Sequence, residues 1–191
     1  MSLMPAFEIG VWNAWIFIAP YIFTNFVLTL LLTAFKVRKS TFWSLPSYTG
    51  LDRMCFLLYG FILGSLSIYS VFLPLAIGTA WFYAGLAVYL VGFAFLVLAM
   101  HTFTATPVDK PNTTGIYCIS RHPWYIGLFS IYIGIGIASA SWVYLLVTLI
   151  WLATYRNVLI LPEERFCLEK FGDTYREYMN GTPRWIGIPK A

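Results

Sequence analysis

The chain has 191 residues, 60% of them hydrophobic and 10% charged, with a formal net charge of +4. Soluble domains carry about 25% charged residues, so this composition excludes an ordinary water-soluble globule and makes a bilayer the solvent. The basic residues sit between apolar runs rather than on a soluble face, which marks membrane topology instead of nucleic-acid binding.

The segment before Ile9 has no basic stretch, and the apolar run after it is too long for the hydrophobic part of a cleavable signal; no such signal is expected there. Ile9 to Phe35 holds no charged residue, ample for one spanning helix of about 20 residues. Trp12 and Trp15 suit an interfacial anchor, and Asn13 and Asn25 read as hydrogen-bonding interruptions. A short loop follows with Lys36, Arg38, Lys39 and Arg53, broken by Pro46 and Gly50. Met54 to Met100 is again uncharged and about twice the length of one span, so it is expected to fold as two helices, turning between Phe72 and Gly78. Gly60 and Gly64 form a GxxxG pair in the first of them.

His101 to Pro123 is a polar loop rich in Thr, Pro, Asp, Asn and Gly. Ile126 to Leu161 is apolar except for Arg156 and predicts a hairpin of two short helices, turning at Ala138-Ser139-Ala140-Ser141. Ser130, Gly134 and Ala138 put small residues on one helix face, a site for close packing. Pro162 should kink or end the second helix. Glu163 to Met179 reads as an amphipathic helix bent at Gly172, with an irregular docked extension after it.

The expected fold is therefore all-α: a polytopic membrane protein of five transmembrane helices forming a single domain over 1–191. Three supporting helices lie in 1–100, and the loop, hairpin and tail in 101–191. All twelve basic residues fall on one side of such a bundle. That places the N-terminus outside and the amphipathic helix and tail in the cytosol. Cys55, Cys118 and Cys167 lack metal-ligand spacing and read as free thiols, and no metal site is expected.

Every reactive side chain then gathers at the cytosolic face: His101, Asp109, Tyr117, Arg121, His122, Tyr125, Arg156, Glu163 and Glu164. None sits at mid-membrane, where a proton or ion carrier usually needs one. The pattern suits a site joining a water-soluble molecule to one embedded in lipid. Pro123 fits the first turn of a helix, whose N-terminus attracts carboxylates and phosphates. Arg121 has two readings, pairing with a tail carboxylate or lipid phosphate, or holding a substrate anion. Glu163 and Glu164 can bind a ligand or merely cap and solubilise the tail. His101, Tyr117 and Tyr125 can be ligands or interfacial residues.

Gly115-Ile116-Tyr117, Arg121-His122-Pro123-Trp124-Tyr125, Glu163-Glu164, and Phe171-Gly172 with Tyr175 and Tyr178 together resemble the isoprenylcysteine carboxyl methyltransferase family, with the phospholipid methyltransferases as broader kin. The resemblance covers about the last half of the chain and, by size, a compact prokaryotic member. It implies an S-adenosylmethionine-dependent methyltransferase. Tyr117, His122, Pro123, Tyr125, Glu163 and Glu164 would contact the cofactor, with Val108 and Thr114 from the preceding loop, and His101, at the pocket wall. A carboxylate acceptor is already ionised at neutral pH and needs only a cation to position it. Arg156 is the first candidate for that cation and Arg121 the second. The family's substrate arginine, one turn before the glutamate, is replaced here by Leu159. Two alternatives stand beside this reading. One is a phospholipid amine N-methyltransferase needing a base, for which Glu164 or His101 would serve. The other is a sterol-type reductase using NADPH.

Overall fold

The computed structural model describes residues 7–34, 50–107, 109–155 and 159–187. Among them the regular structure is helical: α1 Trp15–Ala34, α2 Gly50–Tyr69, α3 Ala80–Ala105, α4 Pro123–Ala138, α5 Trp142–Tyr155, α6 Leu161–Phe171 and α7 Asp173–Gly181, with short 3-10 turns at Ser70–Phe72 and Gly115–Cys118. Lys36, Arg38 and Lys39 of the expected basic loop lie outside the described residues, whereas Gly50 and Arg53, read as part of that loop, fall in the first turn of α2. The run Met54 to Met100 does divide where Pro74 and Gly78 interrupt it, and Thr79 caps the new helix by accepting a hydrogen bond from the Phe82 N–H. α3 is long and apolar enough to cross a membrane; Trp15–Leu28, Phe56–Phe72, Pro123–Ala138 and Trp142–Ala153 are shorter apolar helices.

The α4–α5 turn falls at the expected residues. Ser139 ends α4, Ala140 takes a positive φ of 50°, and Ser141 accepts a hydrogen bond from the Tyr144 N–H as α5 begins. This turn meets the α2–α3 turn, since the Ala76 N–H donates to the Ala138 carbonyl at 2.9 Å. The chain before α1 joins them: Asn13 donates to the Val71 carbonyl at 2.8 Å, and the Ala14 N–H to the Leu73 carbonyl at 2.8 Å. One end of the bundle is thus made of two turns and the segment before α1, laced by hydrogen bonds to backbone carbonyls.

The strongest helix pairing joins α3 to α4. Gly85 and Gly92 on α3 face Gly127, Ser130, Gly134 and Ala138 on α4 so closely that a Cβ on Gly85 would overlap the Ala138 nitrogen and lie 2.5 Å from the Gly134 carbonyl oxygen. The small face of α4 therefore packs on α3 rather than on its hairpin partner α5. A Cβ added at Gly60 or Gly64 would meet nothing within 4 Å, so that GxxxG pair makes no helix contact among the described residues. In lipid, where burial of apolar surface drives helix association little, such close approach is what holds helices together.

Aromatic side chains fill the space between the other helices. Phe17 of α1 stacks on Tyr89 of α3 at 4.5 Å, Tyr59 of α2 on Trp151 of α5 at 5.0 Å, and Tyr69 of α2 on Tyr144 of α5 at 5.9 Å. Tyr132 of α4 is fully buried at their centre and shares a 2.8 Å hydrogen bond with Ser67 of α2. Such a pair satisfies two hydroxyls that would otherwise be costly inside the bundle.

Candidate functional site

The site lies at the other end, where α4 begins. The chain leaves α3 and makes the 3-10 turn Gly115–Cys118, whose first residue has φ +58°. Gly115 also lies against α3: a Cβ there would sit 2.7 Å from the Thr102 hydroxyl, so both conformation and space call for glycine. His122 is the cap of α4, and its carbonyl accepts from the Tyr125 and Ile126 N–H groups. Pro123 takes the first helical position, where a missing N–H is no loss.

A second helix start meets the first. A wide π-type turn at Leu159–Ile160 precedes α6, Pro162 sits in its first turn, and Glu163 and Glu164 follow at once. The expected kink or end of the hairpin's second arm falls next to residues 156–158, which lie outside the described residues; Leu159 and Ile160 run helically into α6.

The two glutamates have different surroundings. Glu163 receives the Tyr125 hydroxyl at 2.8 Å and leaves 42% of its side chain exposed. The Tyr125 ring stacks on His122 at 5.7 Å, and His122 Nδ1 is 3.8 Å from Glu163 Oε2. Glu164 is buried. It accepts a forked pair from Arg184, at 3.1 Å from Nε and 2.7 Å from Nη2, and lies 3.2 Å from Arg121 Nη2 and from His122 Nε2. Burial alone would raise its pKa. The hydrogen bonds from His122 and Arg184 and the charge of Arg121 outweigh that and hold it down at about 2. An ionised Glu164 only accepts, so His122 Nε2 carries the proton between them.

The tail is docked across this cluster. The Arg121 N–H donates to the Pro183 carbonyl at 3.0 Å, the Gly187 N–H to the Ile119 carbonyl at 3.2 Å, and the Ser120 hydroxyl to the Arg184 carbonyl at 3.2 Å. The Tyr178 hydroxyl donates to the Tyr117 carbonyl at 2.7 Å, tying α7 to the 3-10 turn. The bend between α6 and α7 is Gly172, at φ +56° and ψ −129°, a region open essentially to glycine.

The structure therefore brings together Tyr117, Arg121, His122, Pro123, Tyr125, Glu163 and Glu164. Burial first, and the nearby Glu163 carboxylate next, push the Tyr117 phenol up, so it stays protonated. Of the two readings of Arg121, pairing with a tail-side carboxylate is present: it holds Glu164, and its Nη1 reaches the Met179 carbonyl at 3.5 Å. Thr114 is exposed and starts the 3-10 turn, and His101 is exposed near the end of α3. Leu159 is buried. Arg156 and Val108 lie outside the described residues. Ser120, Tyr178 and Arg184 are parts of the cluster not foreseen as such. Twenty residues separate Arg184 from Glu164, and no periodicity carries that pairing.

A family model described as phospholipid methyltransferase matches residues 62–174, more than half of the chain. The chain belongs to that family. It is also 31% identical over 100 residues to the protein-S-isoprenylcysteine O-methyltransferase of Schizosaccharomyces pombe; the match takes in 49% of this chain and 42% of that protein, so the chain spans less than half the length of this relative.

Proposed function

We propose that the chain is an S-adenosylmethionine-dependent methyltransferase acting on a lipophilic acceptor at the cytosolic membrane face, by carboxyl O-methylation of a prenylcysteine-like substrate. The observation that carries this is the meeting of the α4 and α6 starts, with one glutamate fully paired and the other half open. The fit to the methyl donor is chemical. Its amino-acid end carries an ammonium and a carboxylate; Glu163 has acceptor capacity left for the first, and the α4 N-terminus suits the second. When bound, S-adenosylmethionine supplies a methyl group on a cationic sulfonium, which an ionised carboxylate takes without losing a proton. The residues then have to align and dehydrate rather than move protons. The Tyr125 hydroxyl fixes the Glu163 side chain, and the Tyr125 ring is itself stacked on His122.

An amine acceptor, which the family's description suggests, would need a base. Glu164 is ill suited, because three cationic or donor groups keep it ionised and weakly basic. His101 stands exposed on α3. That leaves His101 as the base an amine acceptor would need, whereas a carboxylate acceptor needs none, and the carboxylate is the reading we keep. Arg156 is the residue we assign to positioning it.

Titration of detergent-purified protein with S-adenosylhomocysteine and with NADPH tests the cofactor. We expect binding of the first, and a Glu163→Ala variant should bind it about tenfold or more weakly, the scale of one charge-assisted hydrogen bond of ~1.5–3 kcal/mol. Binding of NADPH alone would sink this reading in favour of a reductase.

The five-span arrangement, with this cluster in the cytosol, rests on two features. The two turns and the segment before α1, which carry no basic residue among those described, share one end, and Arg121, Arg184 and the docked tail share the other. Cys118 is free and exposed beside the cluster, whereas burial pushes the Cys167 thiol up to about 12 and leaves it unreactive. A membrane-impermeant maleimide should thus label Cys118 in inverted vesicles and spare it in right-side-out ones. The reverse pattern would invert the topology.

A further inference from the structure

An apolar groove of about 460 Å³ runs between α4 and α5, lined by Ile126, Phe129, Ser130, Leu152, Ala153 and Trp185. Its size falls within the range of small-molecule sites, about 300–1,000 Å³. Five of its lining residues are on the hairpin; Trp185 comes from the docked tail. The groove starts at Ile126, the residue after Tyr125, whose hydroxyl is on Glu163. Ile126 is one turn from His122, whose carbonyl its N–H bonds, and Trp185 follows Arg184, which is forked onto Glu164, so this end of the groove lies beside the polar cluster. Along α5, Leu146, Leu149 and Ile150 are about half or more exposed on a helix of the apolar bundle, so the other side faces lipid.

Resting on the methyltransferase reading, we infer that this groove seats the hydrocarbon chain of the acceptor, and that Trp185 is a specificity-determining residue for that chain. Besides the Ser130 hydroxyl and the Trp185 indole N–H the walls are apolar and carry no charge, so an apolar chain is the occupant they match. A chain lying there has its polar end one turn of α4 from His122, beside the cluster where the methyl donor would be held. Trp185 keeps 37% of its surface exposed, yet its backbone is fixed on both sides. Arg184 before it is forked onto Glu164, and Gly187 after it is bonded to Ile119. Arg184 is thus a positioning residue: it sets the indole as one wall of the groove. This also explains why Glu164 is buried and fully paired while Glu163 is open. The first holds the tail that shapes the acceptor's seat, and the second faces the donor.

The test uses the full chain in lipid nanodiscs and a prenyl thioether carboxylate bearing a diazirine on its chain. Photolysis should label peptides containing Ile126–Ser130 and Leu152–Ala153, and an unlabelled analogue of the same chain should compete. Trp185→Ala should shift the ratio of kcat/KM between long and short prenyl chains by about tenfold, the scale of one lost apolar contact, with S-adenosylhomocysteine affinity unchanged. Arg184→Ala should give the same shift and Arg184→Lys should partly reverse it. Labelling elsewhere, labelling by bulk lipid chains that the analogue does not displace, or a chain-length ratio unmoved in Trp185→Ala would each overturn the inference. These outcomes leave donor binding intact. Failure of the methyltransferase reading shows instead as absent S-adenosylhomocysteine binding, and the labelling result is read independently of it.

Discussion

Replacing Glu164 by alanine should cost ~3–5 kcal/mol of stability, the cost of stripping one partner from a buried ion pair. Arg121 is the reason. Its side chain is only 8% exposed, and Glu164 is its carboxylate partner at 3.2 Å. Without that carboxylate a guanidinium is left charged in a dehydrated place, because arginine does not release its proton. Arg184 has an easier escape, since its side chain is 26% exposed and can turn to water. Arg184→Ala should therefore be milder in thermal unfolding than Glu164→Ala, although both loosen the tail. Proteolysis in the segment after Gly181 should quicken in both. Equal melting temperatures for wild type and Glu164→Ala would refute the network's weight.

The same network gives a pH signature. Glu164 has its pKa lowered from 4.5 to about 2 in the folded chain. Its contribution is then fully present above about pH 4.5 and disappears as pH falls toward 2, because the unfolded state takes up the proton first. The stability gap between wild type and Glu164→Gln should be wide at pH 7 and narrow as pH drops through that window. A gap that stays constant would mean the carboxylate is not held by charge.

The sequence shows the apolar runs, their breaks and the polar cluster because each has a local cause. Pro74 with Gly78 and Ser139 with Ser141 stop helices by backbone chemistry alone. Pro123 places the start of α4, and the arrangement of the hairpin brings it against the first turn of α6, where Pro162 sits. What the sequence hides is pairing at a distance. Arg121, Arg184 and Glu164 are ordinary residues until the tail folds back over residues 119–121, and that path is set by backbone hydrogen bonds to Pro183 and from Gly187. The different fates of the adjacent glutamates are hidden for the same reason: successive helix positions point about 100° apart, and only the packed tail decides which of them meets cations.

Helix pairing is where a local reading misleads most, and Gly85→Ala should show it. The new methyl carbon would overlap the Ala138 nitrogen and lie 2.5 Å from the Gly134 carbonyl oxygen, both backbone atoms that have no rotamer to change. The helices must move apart, and contacts along the whole α3–α4 seam weaken together. Gly134→Ala meets the Tyr89 nitrogen at 2.7 Å and should act in the same way. Each change should destabilise by ~1–3 kcal/mol or more, as overpacking does where the surroundings cannot yield. Both should also weaken S-adenosylhomocysteine binding, because the seam carries the start of α4 and, through Thr102 against Gly115, the turn before it. Gly60→Ala and Gly64→Ala are the controls. These meet nothing within 4 Å, and alanine there should stabilise the helix by up to about 1 kcal/mol. Steric-trap or thermal unfolding in the same detergent reads all four. A loss at Gly60 or Gly64 with none at Gly85 would move the packing seam back to the GxxxG pair. The opposite result assigns it to glycines seven residues apart, Gly85 with Gly92 and Gly127 with Gly134, two full turns of each helix that lie face to face.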